Sequence, residues 1–217
     1  LTWLTLRATA GQTFSQVNPP APADAIVSAS QTLPTSVGGS VTYTSANFPN
    51  TAVKPETGFN YNIGAVVQVG SVTASLDYWA INVTDRILNR TPQVVLKNWQ
   101  YLNDYIIRNP QTGVIDHVEA GWINAAGLKT RGLDLGMRHD GKFGEYKTTA
   151  TLDGTWMQSF KFAEFEGQPF IEQVGKFATR DVYLRWKHNA GLTVSRGDWS
   201  VLFNNKFASH YADQLPN

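Results

Sequence analysis

Residues 146–162, YKTTATLDGTWMQSFKF, alternate between two kinds of side chain over their whole length. The even positions are small and apolar in the middle and aromatic towards both ends, where Tyr146 and Trp156 stand. The odd positions are almost wholly polar and include Asp153 and Lys161. A period of two is typical of a β-strand with one apolar face. The run therefore predicts one long strand that keeps a single parity to its end.

The same alternation recurs along the chain and predicts about seven long strands. They are the first ten residues, LTWLTLRATA, and residues 58–70, 71–83, 124–139, 146–162, 179–188 and 198–211. Trp79 and Ile81 have the wrong parity for their strand. A β-bulge would explain this, as would a position outside the membrane if the strand belongs to a membrane protein. Asn205 falls on an apolar face, and the sequence offers no reason for it.

Strand length distinguishes a membrane barrel from a soluble sandwich. At ~3.3 Å per residue and a tilt near ~40°, Tyr146 and Trp156 are roughly 25 Å apart along a barrel axis, which is the height of the apolar band of an outer-membrane barrel. Core strands of soluble proteins are usually only about five or six residues long. The length favours a barrel whose leucines Leu133 and Leu135 face lipid, whereas a sandwich would bury them in a protein core.

The predicted connections alternate in length. Short turns are predicted near residues 69–71, 140–145 and 189–197, and long loops at 11–57, 84–127 and 163–177. Short periplasmic turns and long extracellular loops are typical of outer-membrane barrels. Within the second loop, Thr91 and Pro92 predict the start of a short helix. The run after it predicts a small hairpin about Asn109–Gly113.

Composition excludes several other classes of protein. The 217 residues carry a formal net charge of +1 and no cysteine, so nothing indicates a nucleic-acid partner, a disulfide framework or a cysteine metal site. The four histidines lie far apart, and we expect no metal site and no cofactor. The sequence has no phosphate loop and no nucleophile elbow, and scattered carboxylates do not favour a glycosidase pair. We therefore assign no catalytic residues and expect no enzyme.

Three groups of side chains are candidates for function. Polar positions of the strands are expected to face the barrel lumen, as plug contacts, a substrate path or simply a solvated interior: Asp134, Arg138, Asp153, Asp181, Tyr183 and Arg185. Aromatic residues at strand ends are expected to anchor the barrel at the membrane interface: Tyr146, Trp156, Trp186 and Trp199. Loop aromatics could stack on a ligand or pack within the loop: Trp99, Tyr101, Tyr105 and Trp122.

Three stretches resemble the C-terminal barrel of TonB-dependent outer-membrane receptors. Residues 50–64, with Lys54-Pro55-Glu56 followed by an Asn-Tyr pair, resemble the family's NP-x-LKPE-x-S-x-NYE-x-G passage into a strand. Residues 75–87 resemble the next strand and end in the family's DRI. NAAGLKTRGLDL at 124–135 resembles its N-x-G-x-x-x-x-G-x-D/E element. The family's aromatic-Arg-Ala-Pro element is not matched, since GQTFSQVNPP keeps only the Phe and a late proline.

The resemblance implies an all-β fold, namely an interior slice of an antiparallel transmembrane β-barrel of about 22 strands. Residues 1–217 would be part of one barrel domain, with the plug domain, the TonB box and the barrel ends outside this chain, and we expect both ends to be cut from something larger. It implies a bacterial receptor in the cell outer membrane for energy-coupled uptake of a scarce, bulky ligand such as a siderophore, cobalamin, oligosaccharide or peptide.

The resemblance also implies partners. These are the TonB complex, reached through the plug, the transported ligand, and the lipid bilayer with its lipopolysaccharide. A passive outer-membrane porin and a secreted β-sandwich binding module are the alternatives. A plug domain in the full-length protein would distinguish the receptor from the porin, and solubility of this chain without detergent would favour the sandwich.

Overall fold

A computed structural model describes residues 3–16, 26–32, 40–47, 53–178 and 181–213. The chain is built mainly from strands, with two short helices and a 3-10 turn in one long connection. The strands are β1 (Leu4–Ser15), β2 (Ile26–Thr32), β3 (Ser40–Asn47), β4 (Glu56–Val69), β5 (Val72–Thr84), β6 (Ile87–Arg90), β7 (Ile106–Arg108), β8 (Ile115–Asn124), β9 (Gly127–Phe143), β10 (Tyr146–Ala163), β11 (Ile171–Glu172), β12 (Lys176–Ala178), β13 (Asp181–Val182), β14 (Trp186–Arg196), β15 (Trp199–Ala208) and β16 (Ala212–Asp213). The helices are α1 (Pro92–Lys97) and α2 (Trp99–Leu102), and the 3-10 turn is Asn103–Tyr105.

Seven long strands form one antiparallel sheet in the order β1-β4-β5-β9-β10-β14-β15, and β11 pairs with β10. Apart from β2, β3 and the short strands of the loops, this is also the order along the chain. The expectation of seven long antiparallel strands is confirmed. Within the described residues, β1 and β15 each have one partner, so the sheet is open at both edges. No helix in the part of the chain that the structure describes is long and apolar enough to cross a bilayer.

Three two-residue turns close hairpins at one end of this sheet, which we name the turn end. Each turn begins with a glycine at positive φ, namely Gly70 (57°), Gly144 (58°) and Gly197 (54°). A glycine at the first central position is the requirement of a type II′ turn, whose twist matches that of paired strands. The long connections lie at the opposite end, the loop end. The predicted alternation of short and long connections is therefore confirmed.

One predicted strand is displaced, and two predicted turns contain a glycine that lies inside a strand. The strand predicted over 179–188 is wrong, because the long strand is β14, and residues 179–180 lie outside the described residues. The predicted turn at 189–197 contains Gly191, which lies inside β14 directly opposite Thr151. A Cβ on Gly191 would be 2.8 Å from the Thr151 hydroxyl oxygen, so this glycine permits close strand packing. Gly141, in the predicted turn at 140–145, lies inside β9 and meets Thr148 in the same way.

A β-bulge lies in β10 and not in β5. The pairing of β5 with both neighbours is unbroken through Trp79 and Ile81, so these side chains lie on the polar face. The pairing of β10 with β9 shifts between Met157 and Ser159. The shift reverses the parity of the strand beyond it, and the single parity predicted for residues 146–162 is wrong there. Lys161 consequently lies on the apolar face and not on the predicted lumen face.

The bulge is held by the residue before β14. The Nη1 of Arg185 donates to the carbonyl oxygens of Met157 (3.1 Å) and Gln158 (2.7 Å). The amide of Met157 donates to the Arg185 carbonyl at 2.9 Å. Beyond the bulge, the Phe160 ring stacks on Tyr183 with 3.6 Å between the ring centroids. A contact from a later loop therefore fixes the irregularity of this strand.

The connection between β5 and β9 is folded around its own core. Strands β2, β3, β8 and β6 form a second sheet in that order, with β7 paired to β8. The helix is confirmed, because the Thr91 hydroxyl accepts from the Val94 amide and Pro92 opens α1. The hairpin is confirmed too, because the Asn109 side chain accepts from the amides of Gln111 and Thr112. The core consists of Val95, Leu96, Leu102, Ile106, Ile115, Val118, Ile123 and Phe165.

Phe165 links two loops, because it comes from the connection after β10 and is 2 % exposed within that core. Strands β13, β12 and β16 form a third, small sheet in that order. The buried hydrophobic core therefore lies mostly in the loops and not under the long strands.

The long sheet has one polar face and one apolar face that remains exposed. Large apolar side chains on that face are open to the surroundings, with Ile63 60 %, Leu76 50 % and Phe203 63 % exposed. Soluble proteins rarely expose a continuous apolar surface of this kind. The strand pattern is therefore that of a membrane barrel wall.

Candidate functional site

The polar face of the long sheet carries a cavity of ≈ 690 Å³. Charged residues of both signs line it, and they come from all seven strands except β4: Arg7, Asp77, Asp134, Asp153, Lys187 and Lys206. Strand register explains the grouping, because Asp77 is directly opposite Asp134 and Asp134 is directly opposite Thr155. Side chains of adjacent strands in register lie on the same face and within reach of one another.

A bidentate ion pair closes one side of this cavity. The Nε of Arg7 donates to Oδ1 of Asp77 at 2.7 Å, and its Nη2 contacts Oδ2. These residues come from β1 and β5, and Gly64 of β4 lies between them in register. A Cβ on Gly64 would be 1.9 Å from Oδ1 of Asp77, so only a glycine lets the two side chains meet.

Two other polar contacts lie on this face, one between neighbouring strands and one within β9. The Thr155 hydroxyl donates to Oδ1 of Asp134 at 2.8 Å. Nearer the turn end, Arg138 donates through Nε and Nη2 to the two oxygens of Asp140 at 2.7 and 2.8 Å. Among the described residues, Asp153, Lys187 and Lys206 form no ion pair. The cavity wall therefore offers charges of both signs to whatever lies against it.

The structure divides the six predicted lumen residues into two groups. Asp134, Arg138 and Asp153 lie on the polar face of β9 and β10. Asp181, Tyr183 and Arg185 are not on a long strand, because they lie in the connection that precedes β14. Arg7 was missed, although it has the same parity as the polar residues Thr5 and Thr9 in β1, which marks it for this face.

The four aromatic residues that were predicted to anchor the barrel lie in two rows on the apolar face. Tyr146 and Trp199 are at the turn end, 42 % and 81 % exposed. Trp156 and Trp186 are directly opposite each other at the loop end of the same strands. The Trp186 indole covers Gly154, where a Cβ would be 2.4 Å from its ring. All four lie near strand ends, and their role at a membrane interface stays a prediction.

A hydrogen-bond chain accounts for Asn205. The Trp186 indole nitrogen donates to Nδ1 of His188 at 2.8 Å, which places the imidazole proton on Nε2. The His188 Nε2 then donates to Oδ1 of Asn205 at 3.1 Å. His188 also stacks on Phe207, with 5.3 Å between the ring centroids. The polar groups on this part of the apolar face are therefore paired with one another.

The loop aromatics lie in different surroundings. Trp99 and Tyr105 pack against the loop core, and the Arg90 guanidinium lies 3.4 Å from the centre of the Tyr105 ring. Burial lowers the pKa of Arg90 below its ordinary value, in opposition to Tyr105 and Glu119, which raise it. Tyr101 is 37 % exposed, and Trp122 is half-buried in β8. Packing thus occupies Trp99 and Tyr105, and Tyr101 presents the most open ring of the four.

Three sequence motifs converge at the loop end of β4, β5 and β9. The Asn124 side chain donates to the carbonyls of Lys54 and Asp85, both at 2.8 Å, and accepts from the Lys54 amide at 2.8 Å. Glu56 accepts from the amide of Ile87 at 3.1 Å. A Cβ on Gly127 would be 2.3 Å from the Val83 carbonyl oxygen. The motifs therefore specify the junction between wall and loops; the Asn50 that precedes them lies outside the described residues.

No set of three or more His, Cys, Asp or Glu side chains able to hold a metal ion occurs in the described ranges. The residues that converge are instead a charged wall, two aromatic rows and a structural junction. A family model described as TonB dependent receptor-like, beta-barrel, matches residues 1–216. The chain belongs to this family. No curated protein matches it in a sequence comparison.

Solved structures of this barrel type share the fold. The siderophore receptor PirA from Acinetobacter baumannii is 15 % identical with a TM-score of 0.55, over 97 % of this chain and 28 % of that one. A mutant of the ferric enterobactin receptor PfeA from Pseudomonas aeruginosa is 14 % identical with a TM-score of 0.59, over 96 % and 26 %. The RagAB peptide transporter is 11 % identical with a TM-score of 0.55, over 93 % and 26 %. The chain thus spans about a quarter of each.

Proposed function

We propose that this chain is part of the barrel wall of a TonB-dependent receptor that imports a scarce, bulky ligand across the outer membrane. The observation that carries the proposal is the pairing of an exposed apolar face with a charged cavity on the opposite face of one sheet. Lipid would cover the first face, and the second would line the lumen. Residues 1–217 would belong to a single barrel domain, with the plug outside this chain.

The geometry supports transport without covalent chemistry. Asp153, Lys187 and Lys206 have no ion-pair partner among the described residues, so they are available to a plug surface or to a passing polar ligand. Among the loop aromatics, Tyr101 is the best candidate for a stacking contact, because its ring is the most open of the four. Tyr146, Trp156, Trp186 and Trp199 would hold the barrel at the two membrane interfaces.

The ligand class is open within this proposal. Siderophore receptors and a peptide transporter both share the fold, so the fold does not distinguish a siderophore, a peptide, cobalamin or an oligosaccharide as the ligand. Energy would come from the TonB complex acting on the plug, because the outer membrane has no nucleotide pool of its own.

The first experiment separates a plugged receptor from a passive porin without knowledge of the ligand. The full-length protein is inserted into a planar bilayer and its conductance is recorded. We expect no steady conductance, because a plug fills the lumen, and an open pore after the plug is deleted. The deletion variant is the control that shows insertion. A steady open pore in the intact protein would contradict the proposal and support the porin.

The second experiment tests energy coupling. Cells that express the full-length protein are given ferric enterobactin in one arm and a defined oligopeptide mixture in the other. We expect accumulation of one probe that disappears in a strain without TonB. Equal accumulation in the presence and absence of TonB would contradict energy-coupled uptake.

A further inference from the structure

Six side chains of the cavity on the polar face form two parallel rows across four strands. The first row runs from β9 over β10 to β14. Asp134 is directly opposite Thr155, and Thr155 is directly opposite Lys187. Side chains directly opposite each other on one face are neighbours. The row therefore begins with a carboxylate, continues with a neutral hydroxyl that can donate and accept hydrogen bonds, and ends with an ammonium group.

The second row repeats this order one strand further along the sheet. Asp153 of β10 is directly opposite Asn189 of β14, and Asn189 is directly opposite Lys206 of β15. It lies two residues from the first row along β10, which is roughly 7 Å at ~3.3 Å per residue. All six residues line the same cavity of ≈ 690 Å³. We name the two rows the charge rows.

The charges at the two ends of each row are not paired with each other. Among the described residues, neither the two aspartates nor the two lysines of the rows are in an ion pair. The Thr155 hydroxyl donates to Oδ1 of Asp134 at 2.8 Å and so holds that carboxylate in place. Asp77, in the same cavity, is already neutralised by Arg7. The cavity therefore has an acidic side on β9 and β10 and a separate basic side on β14 and β15.

The rows are accessible from the cavity. Both aspartates and both lysines are exposed. Gly136 of β9 is directly opposite Asp153, so no side chain from β9 covers that carboxylate. A ligand on the polar face can therefore reach both ends of a row.

The length of a row selects the size of a ligand. Adjacent strands are ~4.8 Å apart, so an aspartate and the lysine two strands away are separated by roughly 10 Å at the backbone. An extended chain of three amino acids spans at most about 10–11 Å. Its terminal ammonium and carboxylate groups can reach the two ends of one row, and its amides then pass the neutral side chain in the middle.

We propose that the charge rows bind a zwitterionic oligopeptide that lies across the strands, with an ammonium group on the aspartate and a carboxylate on the lysine of one row. Hydrogen bonds between ionised groups of opposite charge are the strong ones. An anionic ferric siderophore would be repelled by the aspartates, and an uncharged oligosaccharide would use neither charge. This inference rests on the proposed function, because it names the class of the imported ligand.

The test measures binding to the purified full-length protein in detergent by isothermal titration calorimetry. The probes are trialanine, the shortest alanine peptide that spans one row, and its two blocked forms, N-acetyl-trialanine and trialanine amide. We expect each blocked form to bind about tenfold or more weakly than trialanine, because a hydrogen bond between charged groups is lost. Equal binding of the three peptides, or no binding of trialanine, would overturn the proposal.

Two double variants assign the ends of the rows. Asp134→Asn with Asp153→Asn should lose the preference for trialanine over its acetylated form and keep the preference over its amide. Lys187→Gln with Lys206→Gln should do the reverse. A damaged fold would weaken all three peptides alike, so the exchange of preferences reports the charges themselves. Survival of both preferences in both variants would contradict the proposed contacts.

The matched control is Lys142→Gln with Lys147→Gln. It removes two directly opposed lysines from the polar face at the turn end, and neither is among the residues that line the cavity. The control should bind all three peptides like the wild type, and loss of the amide preference there would overturn the proposal. If a double variant does not fold, Asp153→Asn and Lys206→Gln alone must each reduce the corresponding preference.

Peptide binding and receptor function can fail separately. A protein that accumulates ferric enterobactin through TonB but binds no trialanine would lose this inference and keep the proposed receptor function. A protein that shows both peptide preferences but conducts as an open pore would keep the peptide site and lose the proposed receptor function.

Discussion

Neighbouring residues of β10 have opposite environments, which gives a sharp test at the scale of single side chains. Leu152 is on the apolar face, opposite Met137 and Ala190, between Tyr146 and the loop-end tryptophans. Its neighbour Asp153 lines the cavity on the polar face. We expect Leu152→Arg to destabilise the folded full-length barrel by about 2–4 kcal/mol, because arginine near the bilayer midplane is costly.

Asp153→Arg is the matched control, since it introduces the same side chain one position along the same strand. We expect it to be much milder, because the lumen face is solvated. The measurement is the free energy of unfolding in lipid vesicles by denaturant titration. Equal destabilisation by both substitutions would refute the assignment of the two faces.

Single positions show how far the pattern of side chains is informative. The register places Asp134, Arg138 and Asp153 on the polar face of the sheet, because a strand turns each successive side chain to the opposite face, and their contact with a lumen stays a prediction. Alternation could not predict that Arg7 pairs with Asp77. That contact depends on the register of three strands and on Gly64 between them, and register is a long-range property.

At the scale of elements, the short β10–β11 pair is held by one carboxylate and should respond to acid. Burial raises the pKa of Glu172, but the hydrogen bonds from Ser159, Phe160 and Val174 outweigh it, and the pKa lies below its ordinary value. The folded-state pKa is lowered, so the stabilisation is complete above the unfolded carboxyl pKa of ~4.3 and is lost as pH falls through the folded value.

We therefore expect the amides of Phe160 and Val174 to lose protection from hydrogen exchange between a pH above the unfolded carboxyl pKa of ~4.3 and a pH well below it, after correction for intrinsic rates. The measurement is hydrogen exchange on the full-length protein. Glu172→Gln should remove the pH dependence, and Glu145→Gln, at the turn end, should leave it intact. Unchanged protection of both amides at the two pH values would show that Glu172 does not hold this pair.

The elements whose ends depend on neighbouring residues were predictable from the sequence. Those whose ends depend on contacts with residues far away in the sequence were not. Thr91 and Pro92 specify the start of α1 within a few residues, as does Asn109 for its hairpin. The position of β14 was missed, because Gly191 resembles a turn glycine in sequence although its role is to let Thr151 approach. The bulge in β10 was missed for the same reason: Arg185, which holds it, comes from a later loop.

At the scale of the whole molecule, the segregation of turns and loops was the most reliable signal. It depends only on the spacing of alternating runs, and it survives errors of several residues in each strand. Contacts between loops, such as Phe165 in the core of another connection, have no periodic pattern and needed the structure. The loop residues that would meet a ligand also have no periodic pattern. The sequence therefore predicts the strands of the wall better than it predicts the residues of a ligand site.

The open edges of the sheet lead to the last prediction. In the described residues, β1 and β15 each leave one edge without a partner, and the apolar face is uncovered. Unpaired backbone groups are not tolerated in lipid, and exposed edges in water pair with other chains. We expect residues 1–217, expressed alone, to self-associate in water and to form no compact monomer in detergent. The measurement is size-exclusion chromatography with light scattering, with the full-length protein in the same detergent as the control. A monomeric, water-soluble chain that unfolds cooperatively would instead place Leu133 and Leu135 in a protein core, and the secreted sandwich would replace the receptor.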